Sequence, residues 1–201
     1  MVQRAIEESS LWYEVNKVEN RGEQAPMNVG APQRWAAPAQ GMVKCNFHAN
    51  WRSVHYHVGG AWITRNHMGE VGMHARDALV PTTDKLSADI YRLICLLWVL
   101  RSLRDLRVEE INVGTDSHAL VEAIQKSYRW PRYRSLLHQI AAICLDFAVI
   151  DFEVESVKSN KVAREISKSV LRDGRHRSYL AMGGPSWFHK IIRTEGVIVN
   201  S

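Results

Sequence analysis

Three groups of residues in this 201-residue chain are of types that could do chemistry. The first is K-C-N-F-H-A-N, residues 44–50, where Cys45 and Phe47 alternate with Lys44, Asn46 and His48. That period of two marks a half-buried strand whose polar row ends in an imidazole. A lone histidine is ordinarily solvated or satisfied in a core, so His48 gains another role only if the rest of the chain supplies one. The second group is Asp116 in V-G-T-D-S-H, a carboxylate placed to cap a helix starting at S-H-A-L-V-E. The third is basic. From Lys158 to the end there are nine Lys and Arg against three acids, whereas residues 1–157 carry seventeen against eighteen, so the net charge of +5 lies in the last quarter. Such an end either grips phosphates or is a solvated helix face. The stretch R-W-P-R-Y-R, 129–134, interleaves arginines with rings suited to base stacking, and reads equally as a loop whose Trp and Tyr pack down.

These groups need elements to hold them. Strands are expected at about 43–49, 55–65, with a Gly59-Gly60 pair, and 70–79 after the turn N-H-M-G-E, joined as an antiparallel meander. The period then changes. Leu86, Ile90, Leu93, Leu96, Leu97 and Leu100 recur at three and four, predicting a helix over about 85–104. A strand at 108–115, a short helix after Asp116, a helix over 132–147, a fifth strand over 148–157 and a closing helix over 160–171 complete the order βββαβααβα. That order makes an α/β fold, a mixed sheet flanked by helices. Residues 1–40 read as a short helix and a Pro/Gly/Ala-rich linker, 41–172 as the folded domain and 173–201 as a basic extension.

Cys45, Cys95 and Cys144 are odd in number, far apart and set in apolar runs, so they read as buried thiols rather than disulfides or a metal knuckle. A reducing, intracellular setting follows as an expectation, with nucleus and cytoplasm not distinguished. No signal peptide and no membrane span are expected: the longest apolar block, L-I-C-L-L-W-V-L, is bounded by arginines at 92 and 101.

The motifs, taken in order, resemble the plant ribonuclease H-like domains derived from non-LTR retroelement reverse transcriptases. In that family a Trp and a Pro precede K-x-N-x-D-G-A, and a Gly-rich strand ends in I-x-R-x-x-x-G; here stand W-A-A-P-A-Q-G-M-V-K-C-N-F-H-A-N and G-G-A-W-I-T-R-N-H-M-G. The family's L-L-W-A-L, S-D-S-x-x-L-V and R-x-x-N-x-x-A-D are matched by L-L-W-V-L, T-D-S-H-A-L-V and V-K-S-N-K-V-A-R, with G-P-S-W-F near the end. The resemblance runs from about Trp35 to Phe188. It implies a ribonuclease H-like fold with a five-stranded mixed sheet, its first three strands antiparallel.

It also implies a site. The family cleaves the RNA strand of RNA–DNA hybrids with two Mg2+ ions held by acids from the first strand, the first long helix, the end of the fourth strand and the last helix. Carried over residue by residue, those positions are His48, Arg92, Asp116 and Arg164, so one acid of four is retained. With His48 neutral the formal charge moves from about minus four to plus one, which repels a divalent cation. Asp89, one turn before Arg92, is a substitute acid to weigh. Asp116 either caps its helix or pairs with Arg92 or Arg164. No metal and no cofactor are expected here, although the family would use Mg2+, and whether the chain is an enzyme stays open.

The expectation from this is a degenerate domain that binds RNA or an RNA–DNA hybrid without cleaving it, through Lys158, Asn160, Lys161, Lys168, Arg172, Arg129 and Arg132, with Arg175 and Arg177 beyond. Three readings compete: a protein-interaction scaffold anchored by exposed tryptophans such as Trp12, Trp35 or Trp187, an active metal-dependent hybrid ribonuclease, and a decayed retroelement product.

Overall fold

The computed structural model describes residues 34–51, 57–79, 88–172, 178–183, 187 and 191–192. In these residues β1 (Val43–Asn50), β2 (Val58–Arg65) and β3 (Val71–Leu79) are followed by α1 (Ala88–Asp105), β4 (Glu110–Thr115), α2 (His118–Gln125), α3 (Arg134–Cys144), β5 (Val149–Val154), α4 (Lys161–Arg172) and β6 (Tyr179–Met182). The strands form one sheet in the order β5-β4-β1-β2-β3-β6. β1, β2, β3 and β6 pair antiparallel, while β4 runs parallel to both β1 and β5.

The mixed sheet with an antiparallel opening is the expected one, but it has six strands where five were expected. The sixth comes from the stretch read as a basic extension. Tyr179–Met182 is too short for its alternation to be visible, and what orders it is tertiary: it pairs with β3 from Arg76↔Tyr179 to Met73↔Met182, and the Arg76 guanidinium lies 4.9 Å from the centre of the Tyr179 ring. The helix expected over 132–147 is shorter, because Ser127–Arg129 and Pro131–Tyr133 form two 3-10 turns before α3. Trp130 and Tyr133 stack there at 5.9 Å, both packed into the core, so the packed-down reading of R-W-P-R-Y-R is the one seen.

The two faces of the sheet carry different cores. Cys45, Phe47, Trp62 and Ala75 face α1, whose Leu93, Leu96, Leu97, Leu100 and Leu103 are buried along with residues of α2 and α3. The opposite face puts Ala61 and Ile63 against Val162, Ala163 and Ile166 of α4. Cys45 and Cys95 are buried free thiols, with burial pushing Cys95 up to about 12. Cys144 is a free thiol too, only half-buried. Among the described residues no helix is long and apolar enough to cross a membrane.

The polar row of β1 is not solvated. Lys44 and Asn46 are 2% and 1% exposed, and Lys44 pairs with Glu153 of β5 and, at 2.6 Å, with Glu155 just beyond it. Trp35, proposed from sequence as an exposed anchor, is 1% exposed instead; its indole donates to Asn46 Oδ1 at 2.8 Å and its ring lies 4.0 Å from the Arg65 guanidinium. A ring with one apolar body and one N–H is suited to sealing such a polar row. Of the other two, Trp187 is exposed and Trp12 lies outside the described residues.

α4 reaches the sheet only because β2 carries glycine where they touch. A Cβ at Gly59 would stand 2.2 Å from the Ser167 carbonyl oxygen, a contact with backbone that no side-chain rotation relieves. Gly59→Ala should therefore lower stability by about 1–3 kcal/mol in urea unfolding. Gly60→Ala, whose Cβ would meet only side-chain atoms at 3.3 Å or more, should cost less.

Candidate functional site

The site lies at the carboxyl ends of β1 and β4, where open α/β sheets commonly place their ligands. The parallel register pairs Asn46 with Gly114, so two residues further along each of the two segments His48 and Asp116 stand side by side. Their side chains meet: His48 Nδ1 is 2.9 Å from Asp116 Oδ1. α4 arrives from the face it covers. Asn160, immediately before its first turn, donates to Asp116 Oδ1 at 2.9 Å and to the Phe47 carbonyl at 3.0 Å, tying the carboxylate to the main chain of β1. One turn later, Arg164 forms an ion pair with Asp116 Oδ2.

These contacts fix protonation. Burial alone would raise the Asp116 pKa, but the His48 hydrogen bond and charge, the Arg164 charge and the Asn160 hydrogen bond outweigh it and hold the carboxyl well below its ordinary range. An ionised carboxylate only accepts, so the imidazole donates through Nδ1 and a neutral His48 keeps its lone pair on Nε2. Exposure is graded: the Asp116 side chain is 7% accessible, His48 16% and Arg164 27%.

His48, Asp116 and Arg164 thus come together, and Arg92 has a partner of its own. It lies on α1, on the other side of the sheet, and pairs with Asp89 at 2.6 Å, so each consumes the other's charge. One turn further along α1, the Cys95 thiol lies 3.9 Å from the His48 carbonyl oxygen. Asp116 is not the helix cap. Ser117 takes that role, its hydroxyl accepting from Leu120 N at 3.3 Å, which frees the aspartate for its three partners.

The basic residues divide. Lys161, Arg164, Lys168 and Arg172 recur at three and four along α4, which sets them in one stripe starting at the site. Lys161 and Arg172 are exposed, Lys168 is held by Glu165 at 2.7 Å, and Lys158 is exposed in the preceding turn. Asn160, expected to touch nucleic acid, is 1% exposed and serves as the clamp already described. Arg129 and Arg132 are exposed between α2 and α3, with Arg129 3.5 Å from Glu122. Arg175 and Arg177 lie outside the described residues. What sequence reasoning missed is the second ionic cluster, around Lys44; its only signal is a Lys on one strand and E-V-E on another, with nothing local to link them. Elsewhere a cleft of about 420 Å3 opens between α1 and the β3–β6 edge, lined by Trp62, Trp98, Leu106, Tyr179 and Leu180.

The Asp116 ion pairs give a pH test. A group whose folded pKa is depressed adds stability above its unfolded value, near 4, and loses it as pH falls through the folded value. Asp116→Asn should be less stable than the parent at pH 7 by about 2 kcal/mol, allowing for the exposure of Arg164. The gap should close on titration below about pH 4 in denaturant melts, since the parent's advantage is then protonated away.

Against known proteins, residues 46–170 match the reverse transcriptase-like family. Among solved structures, ribonuclease H1 of Halobacterium salinarum superposes with a TM-score of 0.59 at 15% identity, covering 66% of this chain and 99% of that one. The N-terminal ribonuclease H domain of a Mycobacterium tuberculosis protein gives 0.55 at 19%, covering 65% and 98%. LC11-RNase H1 in complex with an RNA/DNA hybrid gives 0.54 at 15%, covering 66% and 97%. At these identities the likeness is one of fold. A 35-residue stretch is 63% identical to the protein phosphatase 2C-like protein 45 of Arabidopsis thaliana, and the chain spans 14% of that relative's length.

Proposed function

The chain belongs to the reverse transcriptase-like family and has a ribonuclease H fold, and from that premise we propose that it binds RNA or an RNA–DNA hybrid without metal-dependent cleavage. The observation that carries the reading is the basic stripe on α4. Lys161 to Arg172 is twelve residues, about 16 Å of helix from first to last Cα, and the stripe includes Arg164, where the guanidinium stands at the position of a metal-binding acid in the family. A guanidinium offers phosphate a planar set of donors, so positive charge is kept at the position where the family uses cations.

The donor set does not fit two Mg2+ ions. Hard divalent cations take oxygen ligands, several of them carboxylates. Of the four positions only Asp116 is acidic, and its two oxygens are occupied by His48, Asn160 and Arg164. Asp89 does not replace the lost acids, because it is held by Arg92. Among the described residues, metal-assisted hydrolysis therefore has no oxygen cage in which to run.

The purified protein should leave the RNA strand of a hybrid intact in Mg2+ or Mn2+. It should still bind hybrid and single-stranded RNA, with affinity falling steeply as salt rises, and Lys161→Ala or Arg172→Ala should each reduce the slope of log K against log salt by nearly 1. Acids placed at His48, Arg92 and Arg164 together should create Mg2+ binding in calorimetry, while any one alone should not. Chelator-sensitive cleavage by the parent, lost in Asp116→Asn, would refute the reading. The competing reading, a protein-binding scaffold, draws on the cleft beside α1 and the exposed Leu180 and Met182 on β6. It predicts instead a partner whose binding salt leaves almost unchanged.

A further inference from the structure

An imidazole with one nitrogen fixed on an ionised carboxylate and the other free is the arrangement of a general base. His48 has that arrangement. Nδ1 is committed to Asp116 at 2.9 Å, and Asp116 is itself immobilised by Asn160 and Arg164. The histidine backbone is fixed as well, paired to Ala61 of β2 and touched at its carbonyl by Cys95. Among the described residues Nε2 has no hydrogen-bond partner, and the side chain keeps 16% of its surface open. Beside it, Arg164 spends one amino group on Asp116 and remains 27% exposed, leaving further N–H donors for a phosphate.

We propose that the His48–Asp116 pair is a metal-free general base that cleaves single-stranded RNA by transesterification at a phosphate held by Arg164. This rests on the nucleic-acid-binding reading above. What the site lacks for two-metal hydrolysis is a means of generating and placing hydroxide. RNA carries its own nucleophile. Nε2 takes the proton of a ribose 2′-OH, the 2′ oxygen forms a bond to the adjacent phosphorus, and the bond from phosphorus to the 5′ oxygen breaks. The leaving oxygen takes a proton from water, and the imidazolium returns its own to the resulting hydroxide, so no redox partner and no metal enter. The products are a 2′,3′-cyclic phosphate and a 5′-OH. Arg164 offsets the charge that builds on the non-bridging oxygens, the role of a preorganised donor. A flexible single strand is the substrate, because an A-form helix holds the 2′ oxygen out of line with the leaving group.

The test uses the full chain in EDTA with a labelled DNA oligonucleotide containing one central ribonucleotide. Scission is expected only on the 3′ side of that ribose, with a cyclic phosphate end identified by mass spectrometry. All-DNA and 2′-O-methyl versions should stay intact. A positioned base contributes about 10²–10⁴-fold, so His48→Asn, which keeps a donor toward Asp116 but no base, should fall at least about 100-fold. Asp116→Asn should lose kcat with little change in KM, its fold checked by circular dichroism. Binding is read separately by fluorescence anisotropy on the 2′-O-methyl strand. Binding without cleavage overturns this inference and leaves the binding reading standing; loss of both overturns both. Cleavage that persists in His48→Asn, or that needs added metal, also overturns it.

Discussion

One carboxylate joins three elements that are remote in sequence. Asp116 at the end of β4 accepts from His48 of β1, 68 residues earlier, and from Asn160 and Arg164 around the start of α4, 44 and 48 residues later. Because it is nearly buried, it can stay ionised only if such donors surround it, and each donor in turn is held by the element that carries it. The parallel pairing of β1 with β4 brings the imidazole, and the glycine contact at Gly59 lets α4 lie close enough to bring the guanidinium. A small change in either would leave a buried charge with too few partners. The cluster thus couples the order of the strands to the seating of the last helix.

That coupling explains what the sequence discloses and what it hides. The apolar side of β1 and the length of α1 follow from local periodicity, since Cys45 and Phe47 alternate and the leucines recur at helical spacing. The meeting of His48, Asp116 and Arg164 is not local. It is legible only because the order of motifs resembles a known family, and that resemblance gave no sign that Arg92 pairs with Asp89. Asn160 shows a different limit. A polar residue beside lysines reads as a surface contact, and only the tertiary approach of α4 to Phe47 turns it inward. β6 is hidden for yet another reason: four residues hold too little alternation to stand out from a charged tail, and β3 supplies the order.

Two ionic clusters occupy the same face of β1, with their polarities reversed. At one end a cation, Lys44, sits between Glu153 and Glu155; at the other an anion, Asp116, sits among Arg164, His48 and Asn160. The Lys44 cluster is sealed by Trp35, and its two carboxylates share one ammonium. Burial and Glu155 push the Glu153 pKa up, while on Glu155 burial is outweighed by the charge and hydrogen bond of Lys44 together with the hydrogen bonds of Ser159 and Glu153, which pull it down. A proton is therefore most easily added at Glu153, the more exposed of the two acids.

The difference between the clusters is in which member faces water. Around Lys44 the central charge and its seal are inaccessible, so that cluster fixes the β1–β5 arrangement and shows water only Glu153. Around Asp116 the anion is the covered member and the two basic groups are the accessible ones. An incoming dication would meet the basic groups first, whereas an incoming phosphate would meet donors without displacing the carboxylate that orients them. The stripe from Lys161 to Arg172 extends the same polarity along α4. The accessible groups at this end of the sheet are therefore basic, and a single buried carboxylate holds them in place.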